Sequence, residues 1–201
     1  MTIRLQDLSA ALRKLRQGDL GTVVRPPMVE VAIDAQRRAT DRVSGPVLNV
    51  RTNRLRSSIA GTVQDGSTGG MSMPEVVLAA GGRTGGDDVK YARIHELGGD
   101  IRPRKGQFLT IPVHPSLKTA AGAAQNHSAR MVPGLTYAKT LAGQSLLVHE
   151  ETGEVYYILR RLVRVKARPY LQPSLREAAP ELRPLILASL RRYLDTQTAR
   201  G

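Results

Sequence analysis

The apolar residues of this 201-residue chain change their spacing several times, and each change marks out an element. Leu5, Leu8, Leu12 and Leu15 recur at intervals of three and four. They form one stripe on a short helix whose other faces carry Arg4, Arg13, Lys14 and Arg16. Gly18 and Gly21 predict its end, so an N-terminal helix is expected within 1–22. Pro26 and Pro27 suit the first turn of a second helix, with Met28, Val31, Ala32, Ala35 and Ala39 on its buried face. Beyond the break at Gly45-Pro46, Thr52 is a candidate N-cap for a short helix that sets Leu55 and Ile59 on one face. That helix feeds a strand near Gly61 to Gln64, a flexible turn over 65–73 and a strand over Glu75 to Ala80, together an antiparallel hairpin.

In the middle of the chain, Asp87 or Asp88 can cap a helix running to Leu97. Tyr91, Ile94 and Leu97 sit three apart and are expected to face the core, which leaves His95 and Glu96 exposed. Gly98 terminates this helix and Gly99 extends the turn. Phe108 to Val113 predicts a strand that is at an edge or ends at Pro112, which has no N–H to give a ladder. Residues 114–143 have little to bury and predict an insertion or long loop. Ser145 to His149 is a strand and 150–154 a hairpin turn. In the next run Val155, Tyr157, Leu159, Val163 and Val165 share one parity, and Arg160, Arg164, Lys166 and Arg168 share the other. One strand would therefore carry an apolar side and a basic stripe. A terminal helix over 169–195 turns Leu171, Leu175, Ala178, Leu182, Leu185, Ile186 and Leu190 inward, with Pro180 and Pro184 expected to kink or restart it. The pattern predicts an α+β fold: one domain over 1–201, a small antiparallel sheet packed by N-terminal and C-terminal helices, with a long inserted loop.

Charge sharpens this picture. Thirty Lys and Arg oppose 17 Asp and Glu, a formal net charge of +13. Such an excess points to a polyanion or an acidic protein surface as partner. Two groups of cations are candidates for contact with DNA or a partner. One is Arg102, Arg104 and Lys105; the other is Arg160, Arg164, Lys166 and Arg168. Solvated faces, or ion pairs to neighbouring subunits, would account for the same residues. With one Phe and no Trp, the chain is poorly supplied for a base-stacking platform. It has no recognisable helix-turn-helix, zinc finger or basic zipper, so nucleic-acid contact would be sequence-independent and salt-sensitive. The lack of Cys excludes disulfides and thiolate metal sites. No run nears the roughly 20 apolar residues that span a bilayer, and the N-terminus lacks a signal-peptide core. Synthesis in the cytosol and no membrane partner are expected.

Catalytic chemistry finds little support. The histidines are His95, His114, His127 and His149, with no His-Glu-x-x-His among them. His95 and Glu96 are adjacent, hence about 100° apart on a helix. The Gly81-Gly82-Arg83-Thr84-Gly85-Gly86 stretch lacks the Gly-Lys-Ser/Thr of a P-loop and the setting of a dinucleotide fingerprint. There is no Gly-x-Ser-x-Gly elbow. The expectation is no enzyme, with no catalytic, metal or cofactor residues.

Four blocks in order carry a resemblance. They are Val50-Arg51-Thr52-Asn53-Arg54-Leu55-Arg56-Ser57-Ser58-Ile59, then Tyr91-Ala92-Arg93-Ile94-His95-Glu96-Leu97-Gly98-Gly99, then Ala167-Arg168-Pro169-Tyr170-Leu171, and the Leu-rich terminal helix. Over most of residues 25–195 the chain resembles the phage virion morphogenesis and tail-completion proteins of long-tailed and Mu-like bacteriophages. Asn53 stands where that family usually has glycine, and Tyr170 where it has phenylalanine. The resemblance implies a structural protein of the head–tail neck, assembled in the bacterial cytoplasm. It implies a homo-oligomeric ring, expected to be a hexamer, joined to neighbouring connector, stopper, terminator or tail-tube proteins. Non-specific contact with genomic DNA in the channel is expected, and the alternative is a non-sequence-specific nucleic-acid-binding accessory protein.

Overall fold

The computed structural model describes residues 20–45, 48, 53–68, 71–82, 89, 91–120, 122–125 and 128–198. The Leu5 to Leu15 stripe, the Thr52 cap, the Asp87 or Asp88 cap and His127 lie outside the described residues. The architecture is α+β, with helices from the N- and C-terminal regions packed on small antiparallel sheets. The chain divides into two compact units, where the sequence led us to expect one domain. The first draws on Met1–Leu48, Arg54–Ala92 and Pro169–Gly201, the second on Asn49–Asn53 and Arg93–Arg168.

The first unit contains helix α1 (Leu20–Val43), the single turn α2 (Arg54–Ser57), strands β1 (Ile59–Thr68) and β2 (Met71–Ala80), and helix α4 (Leu171–Thr198). β1 and β2 pair antiparallel from Ile59↔Ala80 to Thr68↔Met71, so the strands run well into the 65–73 stretch expected to be a turn. Alternation sets Ile59, Gly61 and Val63 beside Ala80, Leu78 and Val76 on one face. Glycine at 61 is a packing requirement, since a Cβ there would lie 2.1 Å from the Ala32 carbonyl oxygen. The Gly61 N–H instead donates to Gln36 Oε1 at 2.9 Å. Ala39, Val43, Leu48, Ile59 and Tyr170 form one buried cluster, and Val31, Ala35 and Ala178 another. The small residues of α1 thus do what their spacing predicts.

The expected proline-led helix start fails here, and so does the restart of the terminal helix. α1 begins at Leu20, so Pro26 and Pro27 lie inside it rather than opening it, and Gly21 lies inside it too. Pro27 cannot donate to the carbonyl four residues back, and Ser189 of α4 fills the gap by donating its hydroxyl to the Val23 oxygen at 2.7 Å. α4 runs unbroken past Pro180 and Pro184. Its inward Leu175, Ala178, Leu182 and Leu185 pack with Val31 and Ala35, holding together a helix that propensity alone would restart.

The second unit holds helix α3 (Ala92–Leu97, which begins on the last residue of the first unit), strands β3 (Gly99–Ile101), β4 (Leu109–Pro112), β5 (Leu135–Lys139), β6 (Ser145–His149), β7 (Val155–Arg160) and β8 (Val163–Val165). β3 and β8 make a two-stranded ribbon; the other four form a sheet in the order β4-β7-β6-β5. β4 is an edge strand and ends at Pro112, which satisfies both placements open to a proline. Residues 114–143 are not simply an insertion: they supply β5, the other edge, which pairs with β6 from Leu135↔His149 to Lys139↔Ser145. Its scarcity of apolar residues hid it, because an edge strand with exposed Thr136, Tyr137 and Lys139 rests on backbone pairing more than on burial. The single strand expected over 155–165 splits at Arg161-Leu162 into β7 and β8, which belong to different sheets.

Candidate interaction surface

The seven cations singled out by sequence all lie in the second unit. Antiparallel pairing puts Asp100 of β3 directly opposite Arg164 of β8. The Asp100 carboxylate lies 3.8 Å from Arg164 Nε and 4.0 Å from Arg102 Nη2, so it gathers one residue from each group. Both arginines are mostly exposed, at 82% and 71%, which keeps these contacts weak and salt-sensitive. Lys166, two residues beyond Arg164, is exposed as well.

Arg168 is fixed by its backbone, whose N–H donates to the His95 carbonyl at 2.8 Å. Gly98 lets the chain pass this close: its φ is +70°, and a Cβ would lie 2.7 Å from Ala167 N and 2.9 Å from Val165 O. His95 itself has its pKa lowered, first by burial and then by the positive charge of Arg168. It therefore stays neutral at neutral pH and adds nothing to the basic surface. The inward face of α3 matches expectation only in part. Ile94 is half-buried, but Tyr91 and Leu97 are 39% and 64% exposed, while Ala92 is buried and His95 and Glu96, expected to be exposed, are half-buried. Ala92, His95 and Glu96 share a helix face at i, i+3 and i+4, so burial of Ala92 carries the other two inward.

The remaining cations gather elsewhere. Arg160 ends β7 opposite Leu109 of β4, and the exposed Arg104 and Lys105 lie in the segment leading into β4. Arg161, which belongs to the same basic run, sets its guanidinium 5.6 Å from the centre of the Phe108 ring. Lys139, which sequence reading passed over, reaches the same end of the sheet through the register Lys139↔Ser145 and Ser145↔Leu159. Among the described residues, none of Arg104, Lys105, Lys139 and Arg160 has an ion-pair partner. One signal could have marked this region from sequence: residues 101–149 contain no Asp or Glu.

The histidines of the sheet form a separate cluster at its opposite end. The His114 ring stacks flat on Tyr156, centroids 4.1 Å apart, and its Nε2 lies 3.5 Å from Glu154 Oε2. Its Nδ1 accepts from the Ser116 N–H at 3.3 Å. His149 lies 5.8 Å from the same tyrosine, and its buried Nδ1 has no hydrogen-bond partner among the described residues. An open cleft of about 400 Å³, lined by Arg130, Gly134, Leu135 and Leu147 among others, adjoins this end. Among the described residues no group of three His, Asp or Glu could hold a metal ion. No described helix is long and apolar enough to cross a membrane. Comparison with known protein families, with curated proteins and with solved structures gave no match.

Proposed function

We propose that this chain is a structural virion protein of the phage head–tail junction, a tail-completion or neck subunit that assembles as a homo-oligomeric ring. The observation that carries this reading is the meeting of three of the resembling blocks. Tyr170 of the third block is fully buried in one cluster with Ile59 of the first, and Leu55 packs against that cluster. The Tyr170 hydroxyl points to the Ala92 carbonyl of the second block, at 3.5 Å. Blocks far apart in the chain thus meet around Tyr170, as a common fold would require of them. Asn53 fits the same reading: its φ of +57° is the left-handed geometry that the family's glycine would supply.

In this reading the protein turns over no substrate, acts in the virion neck and is assembled in the bacterial cytoplasm. Its partners are further copies of itself and the adjoining connector, stopper, terminator or tail-tube proteins. Negative-stain electron microscopy of the purified protein is the direct test, and rings are expected. Virions lacking the protein should be heads beside unjoined tails. A monodisperse monomer at high concentration that binds no tail-tube or connector protein would defeat the proposal.

The acid-free stretch 101–149 supports a second reading, non-specific binding of nucleic acid. It predicts duplex binding that weakens steeply with salt, and absence of binding at low salt removes it.

A further inference from the structure

The acids of the sheet unit are concentrated in one turn. Residues 93–168 hold twelve Lys and Arg against five Asp and Glu: Glu96, Asp100, Glu150, Glu151 and Glu154. Three of the five acids fall in one turn, the β6–β7 tip. This tip is well built. Gly153 N–H donates to the His149 carbonyl at 2.8 Å, His149 N–H to the Glu154 carbonyl at 2.9 Å, and Glu150 N–H to the Gly134 carbonyl at 2.8 Å. Glu154 is engaged by His114. Glu150 and Glu151 are exposed and, among the described residues, have no ion-pair partner.

At the far end of the same strand, roughly 17 Å away at the rise of a β-strand, stands Arg160, with the exposed Arg104 and Lys105 in the segment leading into its neighbour β4, and with Lys139 two strands away on the other face of the sheet. One sheet therefore presents at its two ends groups of opposite charge without ion-pair partners among the described residues. They are too far apart to meet within one copy. Patches that cannot satisfy each other in one molecule can do so between two, and a contact between different patches is head-to-tail, the kind that closes rings.

We infer that the Glu150-Glu151 tip of one copy docks on the Arg104, Lys105 and Arg160 end of the next. The partner of the basic end is thus a second copy of this chain, before any nucleic acid. This rests on the self-assembly proposed above and names the surface that makes it. Complementary charge of this kind sets orientation and excludes the reversed pairing, where like charges would face each other.

The test is charge exchange, read by sedimentation velocity and native mass spectrometry. Variant one carries Glu150→Arg and Glu151→Arg; variant two carries Arg104→Glu, Lys105→Glu and Arg160→Glu. Each alone should self-associate roughly 100-fold more weakly than the parent, since like charges then face each other. An equimolar mixture should regain assembly, because each tip again meets an opposite end. Recovery in the mixture also establishes that both variants are folded, and the milder pair Glu150→Gln and Glu151→Gln should weaken assembly without reversing it. Variants that assemble like the parent would overturn this contact while leaving the neck reading intact. A parent chain that stays monomeric at every salt concentration would overturn both. If variant two loses duplex DNA binding yet still assembles, the basic end serves nucleic acid and the inference fails.

Discussion

In the helix-and-hairpin unit the arginines of α1 lie against carboxylates. Arg25 meets Asp65 at 2.8 Å, Arg37 and Arg38 hold Asp34 at 2.7 and 2.6 Å, and Arg42 reaches Glu177 of α4. In the sheet unit Arg104, Lys105, Lys139 and Arg160 have no such partner among the described residues. The two units spend the same residue type differently. In the first, the arginines of α1 tie elements together and meet carboxylates. In the second, apart from Arg102 and Arg164 beside Asp100, this group of cations is left facing outward. The net charge of +13 is therefore spread unevenly, and the sheet unit, with twelve Lys and Arg against five Asp and Glu over residues 93–168, is the first place to look for a partner.

The comparison breaks most visibly if the first unit is not held by packing. Tyr170 is fully buried at the junction of α1, β1 and α4, where Ala39, Val43 and Ile59 surround it. Tyr170→Ala should cost about 3–5 kcal/mol, the usual range for emptying a buried aromatic site. Native-state hydrogen exchange should register the loss in α1 and the β1–β2 hairpin. Unchanged protection there would mean that the ion pairs, not the core, hold the unit.

A smaller effect separates the tight crossings of the two units. Gly61→Ala drives a Cβ into the Ala32 carbonyl, and Gly98→Ala drives one into the Ala167 and Val165 backbone at a φ of +70°. Each should cost about 1–3 kcal/mol. Gly153→Ala is a useful contrast, because its Cβ would meet nothing within 4 Å and only its φ of +70° opposes the change. Thermal melts of the three variants should place Gly153→Ala as the mildest.

What could be read from the sequence follows from how each element is stabilised. The buried faces of α1 and α4 were legible because they are buried against each other, and that imposes a 3.6-residue period on Val31, Ala35, Ala178 and Leu182. The hairpin was legible as a pair of apolar runs, though its ends were not, since backbone pairing carries β1 and β2 on through Asp65, Gly66 and Ser67. β5 was hidden because exposed edge strands need no apolar period. The helix start at Leu20 was hidden because its support, the Ser189 hydroxyl on the Val23 carbonyl, comes from 166 residues away. The candidate surface was half legible. Alternation placed Arg164 and Lys166 on the basic side, but the split at Arg161-Leu162 that sends β7 and β8 to different sheets leaves no period in the sequence. The acidic tip could be seen as a turn, and only the fold places it opposite the basic end.

A further prediction probes the neutralised charge of the first unit. Hydrogen bonding to Arg38 is the largest influence on Asp34 and lowers its pKa, against a burial that works the other way. A carboxyl with a depressed folded pKa adds stability that is present above about pH 4 and is lost as pH falls through the folded value. Asp34→Asn should lower the melting temperature by about 1–3 °C at neutral pH, and by less in acid, where the parent has lost the same contribution. An equal loss at both pH values would mean that Asp34 acts by shape and not by charge.

The smallest expected effect belongs to the second unit and has the opposite cause. His95 has its pKa lowered from 6.5 chiefly by burial, with Arg168 adding repulsion. The unfolded chain then takes up a proton at higher pH than the folded one does. Stability contributed by neutral His95 is complete above pH 6.5 and declines as pH falls from there to the lower folded value. The decline should cease below that value, which separates it from the carboxylate effect of Asp34 in more acid solution. Proton NMR of the His95 ring should give a midpoint below 6.5, and Arg168→Gln should raise it only part of the way back, because burial is the larger cause. A full return to 6.5 in that variant would make Arg168 the dominant influence. The cationic surface would then reach into the unit's interior, and the division drawn here between paired and outward-facing charge would have to be redrawn at α3.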